Sequence, residues 1–125
     1  MNPMVLCYNL QPEKLSRLRV LALRLGIGVR VVEPEKFGLP VGTLAGVMNV
    51  PGTVEEAEPF SDEMLVMAHF HPGMLDAFLS GFRQSRIPSV KLKAMLTETN
   101  AAWSGDRLHR EIRAEHEQME AMRKR

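Results

Sequence analysis

The sequence contains little of what marks a disulfide-stabilised, membrane-spanning or nucleic-acid-binding protein. Its only cysteine, Cys7, cannot form an internal disulfide, and its apolar surroundings predict a buried small hydrophobic residue. No segment approaches the ~20 apolar residues of a membrane-spanning helix. With 16 basic and 15 acidic residues, one Trp and one Tyr, the chain offers neither a strong basic field nor a stacking surface for nucleic acid. We therefore expect no membrane or nucleic-acid partner, and the missing signal-peptide features predict a cytoplasmic protein.

Motifs typical of catalysis and cofactor binding are also missing. Gly38, Gly42 and Gly46 lack the Lys-Ser/Thr of a phosphate-binding loop and favour close helix packing instead. No Ser or Cys occupies a nucleophile elbow. His69 and His71 point the same way on an extended segment, yet no third metal ligand stands at a diagnostic spacing. We therefore predict no catalytic residue, no cofactor and no metal, and an enzyme is the less favoured interpretation.

What the sequence does contain is one pattern written twice. Residues 4–12 align without a gap with residues 64–72, and the apolar register continues to positions 32 and 92. Each copy has the pattern of an apolar strand, an amphipathic helix opened by a proline, and a second strand. Gly26 is a C-cap candidate in the first copy, and Ser104 is an N-cap candidate for a last helix. We predict a single domain with βαβ repeats at 4–33 and 64–93, a connecting segment at 34–62 and a helix at 104–122.

The two kinds of strand suggest their places in an α/β sheet. The first strand of each copy is apolar at nearly every position, as in a central strand covered on both faces. The second strands alternate more, as edge strands do. Right-handed crossovers then predict a four-stranded parallel sheet of order 2-1-3-4, with helices on both faces. A ferredoxin-like α+β sandwich is the alternative, since it is also built from two βαβ copies.

A ligand site in such a sheet is expected beyond the carboxyl ends of its strands. Asn9 follows the first strand, His69 and His71 follow the third, and a polar segment follows the fourth. If these ends share one edge, their side chains face a common site. The candidate ligand-binding residues are Asn9, His69, His71, Lys93, Thr97, Thr99, Asn100 and Trp103.

Residues 91–103, Lys-Leu-Lys-Ala-Met-Leu-Thr-Glu-Thr-Asn-Ala-Ala-Trp, contain a recognisable motif. The chain from about residue 63 to residue 120 resembles a bacterial family known as domain of unknown function number 3783, and the first half is similar to an N-terminal extension of longer members. The resemblance implies no activity. In one interpretation, Thr97, Thr99 and Asn100 fix a tight loop through hydrogen bonds to the backbone, and Trp103 packs the loop against the core. Alternatively, the loop presents Thr97, Asn100 and Lys93 to an anionic or amide-bearing ligand. The matching residues are Lys93, Ala94, Thr97, Asn100 and Trp103.

These observations favour a non-enzymatic binding or regulatory module. The alternative is a small-molecule enzyme or ligand sensor with its site at the carboxyl ends of strands 1, 3 and 4. The last helix has an apolar stripe that packs either on the chain's own sheet or on a second copy, and Met suits adaptable contact surfaces. We therefore expect a homo-oligomer formed through this helix, with any other protein or small-molecule partner unidentified. The stripe consists of Leu108, Ile112, Met119 and Met122.

Overall fold

A computed structural model describes residues 1–47, 50, 54 and 56–124, so part of the predicted connecting segment lies outside the described residues. None of the helices in these ranges combines the length and apolar content needed to cross a membrane. The elements follow the predicted order along the chain. The strands are β1 Met4–Tyr8, β2 Gly28–Val32, β3 Met64–Ala68 and β4 Leu92–Met95; the helices are α1 Pro12–Leu25, α2 Val41–Leu44, α3 Met74–Gln84 and α4 Gly105–Arg123.

Two local signals at the helix ends, at the end of α1 and the start of α4, act as predicted, and one at the start of α3 does not. Pro12 opens α1, and Gly26 ends it in the left-handed conformation, with φ 72° and its N–H donating to the carbonyls of the last turn. The Ser104 hydroxyl accepts a hydrogen bond of 3.1 Å from the Arg107 N–H and so caps α4. The start of α3 is at Met74 instead of Pro72, because Gly73 has a left-handed φ of 84°.

The predicted strand order, β2-β1-β3-β4, is confirmed. The β1–β2 and β3–β4 pairs are parallel, as expected, but β1 and β3 are antiparallel, with Met4 opposite Ala68 and Tyr8 opposite Met64. The all-parallel expectation is therefore wrong for the central pair. The ferredoxin-like alternative is wrong as well, because it inserts a strand within each βαβ unit, whereas here each unit keeps its two strands side by side.

The antiparallel centre follows from how the two βαβ units meet. A twofold axis perpendicular to the sheet reverses the strand direction of the second unit and keeps both right-handed crossover helices on one face. Accordingly, α1 and α3 share the face formed by alternate residues of β1 and β3, and Leu21 of α1 packs directly on Gly81 of α3. The two crossover helices therefore lie on the same face of the sheet.

The opposite face of the sheet is covered by the connecting segment, α2 and α4. Phe37, Val41, Leu44 and Leu108 are buried there against Leu6, Tyr8, Met64 and Val66. Both faces of β1 and β3 are therefore covered, as their unbroken apolar sequence predicts. Burial raises the pKa of the Cys7 thiol to about 12, so this cysteine behaves as a small hydrophobic residue and not as a thiolate.

The two units differ where the second strand joins the sheet. In the first unit Gly28 lies opposite Met4, directly after the α1 cap. In the second unit residues 85–91 separate α3 from β4, and Leu92 lies opposite Met64. The strand therefore enters the sheet later than the predicted residues 90–93. As a result, Lys93 lies opposite Leu65, the position that Val29 has opposite Val5 in the first unit.

Candidate functional site

The antiparallel central pair divides the predicted site between two edges of the sheet. The carboxyl end of β1 lies beside the amino end of β3. Asn9 is therefore at one end of the strands, while His69, His71 and the segment after β4 are at the opposite end. The expectation that Asn9 faces the histidines is wrong, because only parallel strands end at the same edge. A site shared by the carboxyl ends of strands 1, 3 and 4 has no common edge to occupy.

Asn9 and His69 both hold the connecting segment. The Asn9 side-chain amide donates to the carbonyls of Phe60 at 2.7 Å and Asp62 at 3.1 Å. The Nε2 atom of His69 donates to the Ala45 carbonyl at 2.9 Å. Both residues have left-handed backbones, with φ of 60° and 61°, which is uncommon for residues other than glycine. These side chains therefore have structural partners already.

His71 and Thr99 are exposed, and Trp103 is half-buried. The Arg107 guanidinium lies 4.5 Å from the centre of the Trp103 ring, and the Trp103 carbonyl accepts a hydrogen bond of 2.8 Å from the Val41 N–H. Trp103 thus joins the start of α4 to α2. Within the described ranges no three His, Cys, Asp or Glu side chains are grouped so that they could hold a metal ion.

The loop after β4 is closed by its own side chains. The Thr97 N–H donates to Asn100 Oδ1 at 2.9 Å, and the Asn100 N–H donates to Thr97 Oγ1 at 3.0 Å. The Asn100 amide also donates to the Met95 carbonyl at 3.0 Å. Asn100 is 7% exposed. Of the two predicted roles for this loop, the hydrogen-bonded tight loop matches these contacts.

A separate cleft lies at the β4 edge, on the face of the sheet that carries α1 and α3. We call it the edge cleft. It encloses about 320 Å³ between α3 and the residues that precede β4. Residues 85–91 form one wall because they stay out of the sheet before β4 begins. Its lining residues are Leu79, Phe82, Arg83, Ile87, Ser89, Val90 and Lys93.

Lys93 is the one predicted site residue in the edge cleft. Side chains of directly paired strand residues point to the same face, so Lys93, like Leu65, points toward the helices. Its Nζ atom donates to the Val90 carbonyl at 2.6 Å, and partial burial lowers its pKa. No carboxylate of the described residues forms an ion pair with Lys93, whereas Lys14 pairs with Glu63 at 2.6 Å. The cleft therefore combines apolar walls with an ammonium group available to an anion.

Sequence reasoning missed the rest of this cleft. Leu79 and Phe82 fit the buried stripe of α3 equally well, and Val90 was expected inside the second strand. One signal could have identified the cleft: Pro88 has no N–H and fits poorly inside a strand ladder, which favours a later start for β4. Arg83 carries no such signal, since a cation in the last turn of a helix is common.

Two comparisons with known proteins, one with curated proteins and one with solved structures, give no match. A comparison with family models does give one. The matched segment begins just before β3 and ends within α4, so it contains the edge cleft and the hydrogen-bonded loop. The resemblance inferred from residues 91–103 is confirmed for this part of the chain: residues 63–119 match the family described as Domain of unknown function (DUF3783).

Proposed function

We propose that this protein is a non-enzymatic binding module that holds a small anion with an apolar tail in the edge cleft. The observation that carries the proposal is the place of Lys93: its side chain is exposed, but its ammonium group is partly desolvated at the side of an apolar cleft and has no ion-pair partner among the described residues. Desolvation without an opposite charge is unfavourable for a lysine. An anionic group beside Nζ would relieve this cost.

The remaining lining supports the second half of the ligand. Leu79, Phe82, Ile87 and Val90 supply apolar walls, and each buried methylene group of a ligand contributes about 0.8 kcal/mol. A volume of about 320 Å³ is near the lower end for ligand sites, which suits a short chain. The described lining has two cations and one hydroxyl but neither a carboxylate nor a histidine to transfer a proton, which favours binding over catalysis.

The proposal includes an internal repeat whose copies diverged at this cleft. Matching positions of the two units have matching conformations: Gly26 and Arg86 are both left-handed, with φ of 72° and 55°. The late start of β4 and the change from Val29 to Lys93 distinguish the second unit. A cytoplasmic location is part of the same proposal, supported by the free, buried thiol of Cys7.

The test is a titration of the ¹⁵N-labelled protein with octanoate, followed by amide chemical shifts. We expect octanoate to move the amides of residues 79–93, and acetate and octan-1-ol, which each keep one half of the ligand, to bind more weakly. Lys93→Met should weaken octanoate binding about tenfold, which corresponds to roughly 1.4 kcal/mol. Lys91→Met is the matched control, because Lys91 is exposed like Lys93 but lies outside the cleft lining. Equal affinity of the Lys93→Met protein, or unmoved cleft amides, would overturn the proposal.

A further inference from the structure

The last helix consists of two parts with different surroundings. In the first part Leu108 is 1% exposed and Ile112 is half-buried against the sheet. In the second part Met119 is 66% exposed and Met122 is 71% exposed. All four side chains belong to one helical stripe, because their spacings of three, four and seven residues return to the same side of an α-helix. We call residues 118–124 the overhang.

The overhang keeps its apolar stripe without a sheet beneath it. Apart from Glu120, which is half-exposed, every residue from 117 to 124 is exposed. The overhang is the end of the 19-residue helix α4, and its two exposed methionines on one side form a flexible apolar contact surface. This surface suits contact with another chain.

We propose that the overhang pairs with the overhang of a second copy of this chain, antiparallel and crossing at Met119. The charged residues one turn to either side of Met119 determine the choice of partner. Glu115 and Arg123 lie one turn before and one turn after Met119 on the same side of the helix. Antiparallel crossing therefore places Glu115 beside the partner's Arg123, and the twofold axis repeats this pair. A parallel crossing would instead place Glu115 beside the partner's Glu115.

The contact is small, so the dimer is weak. Each copy contributes two methionines and about two helical turns, well below the roughly 800 Å² per partner of a standard interface. We expect a dissociation constant on the order of 10 µM or above. Pairing at the overhang does not involve the edge cleft, which lies on the other face of the sheet. The experiments on the two proposals are therefore independent of each other.

Sedimentation velocity of the full chain over a range of concentrations tests the pairing. We expect a reversible monomer–dimer equilibrium that Met119→Glu shifts to monomer, with an unchanged melting temperature because Met119 is outside the core. The matched control is Leu23→Glu on α1, whose side chain is 82% exposed but far from the overhang; this variant should still dimerise.

A charge exchange separates antiparallel pairing from general stickiness. Glu115→Arg should weaken the dimer because it places two cations together, and the double variant Glu115→Arg with Arg123→Glu should restore it. A chain that stays monomeric at every concentration, a dimer that survives Met119→Glu, or a double variant that fails to recover would each overturn the proposal.

Discussion

At the scale of single residues, Lys93 places a charged group beside the apolar lining of the edge cleft. A charged side chain that points inward from an edge strand can also prevent sheets from joining edge to edge. That role needs only the charge and predicts aggregation of Lys93→Met without any change in small-molecule binding. A ligand-binding role predicts that the ammonium group forms an ion pair with the anion. The pH dependence of binding therefore distinguishes the two roles.

We predict that octanoate affinity falls as the pH rises above neutral, with a midpoint below 10.5, the ordinary pKa of lysine. Burial lowers the pKa of Lys93, so the ammonium needed for the anion is lost at a lower pH than usual. Calorimetric titrations at several pH values measure this loss. An affinity that stays constant up to that ordinary pKa would contradict the prediction, and Lys93→Met should show no such loss in the same range.

The lowered pKa of Lys93 also affects how the free energy of unfolding depends on pH. Because the folded pKa is below the unfolded one, the unfolded chain binds more protons between the two values. The contribution of Lys93 to stability therefore rises with pH in that window, opposite to the expected octanoate affinity. The two effects are separable in one set of samples, since the stability change needs no ligand.

Local residue signals were predictable where the cause lies within a few positions. The caps at Gly26 and Ser104 depend only on neighbouring backbone groups, and both were predicted. The left-handed backbones of Asn9 and His69 were not, because their side chains bond carbonyls of the connecting segment, distant along the chain. Sequence spacing contains no information about that contact.

At the scale of elements, the loop after β4 is stabilised mainly by one side chain. Asn100 makes four hydrogen bonds, to Thr97 twice, to Met95 and to the Trp103 N–H, and is buried. Two of them involve its side chain, and each buried bond is worth about 1 kcal/mol, with an added cost for partners left unpaired. We predict that Asn100→Ala lowers the free energy of unfolding by about 2–3 kcal/mol, measured by urea denaturation.

The control for this loop is Thr99→Ala, since Thr99 is exposed and its change should stay within about 0.5 kcal/mol. Equal stability of the Asn100→Ala and wild-type proteins would contradict a structural loop and restore the ligand role for Asn100. The sequence predicted that Thr97 and Asn100 act together, but it left both roles open. Only the hydrogen bonds of Asn100 in the folded chain favour one of them.

At the scale of the whole molecule, strand order was predictable and strand direction was not. Right-handed crossovers constrain each βαβ unit separately, and the apolar pattern places β1 and β3 in the centre for either direction. Direction depends on how the connecting segment returns across the sheet, which no local pattern encodes. The edge cleft depends on the register of β4 against β3, for which Pro88 is the one local signal in the sequence.

The centre of the molecule has a symmetry that makes a further prediction possible. Leu6 lies opposite Val66, and these are matching positions of the two units. The antiparallel register is therefore the one that β3 would adopt against a second β3. Leu21 packs on Gly81 near the twofold axis between the two units. These two positions also match each other in the aligned repeats. The first unit thus occupies the place that a second copy of the second unit would take in a symmetric dimer.

We predict that a fragment of residues 63–124, carrying Met119→Glu to prevent pairing at the overhang, forms a dimer through β3. All five residues of β3 are buried in the full chain, so a monomeric fragment would expose an apolar central strand and the inner side of α3.

The variant Gly81→Ala gives a second test of the same symmetry. In the full chain the added methyl group meets the Leu21 side chain, and overpacking of roughly 1–3 kcal/mol cancels or exceeds the helix-propensity gain of about 1 kcal/mol. In the fragment dimer Gly81 faces the partner's Gly81 instead, so the propensity gain prevails and the variant should be more stable. Sedimentation and urea denaturation measure both, and a folded monomeric fragment would contradict the symmetry argument.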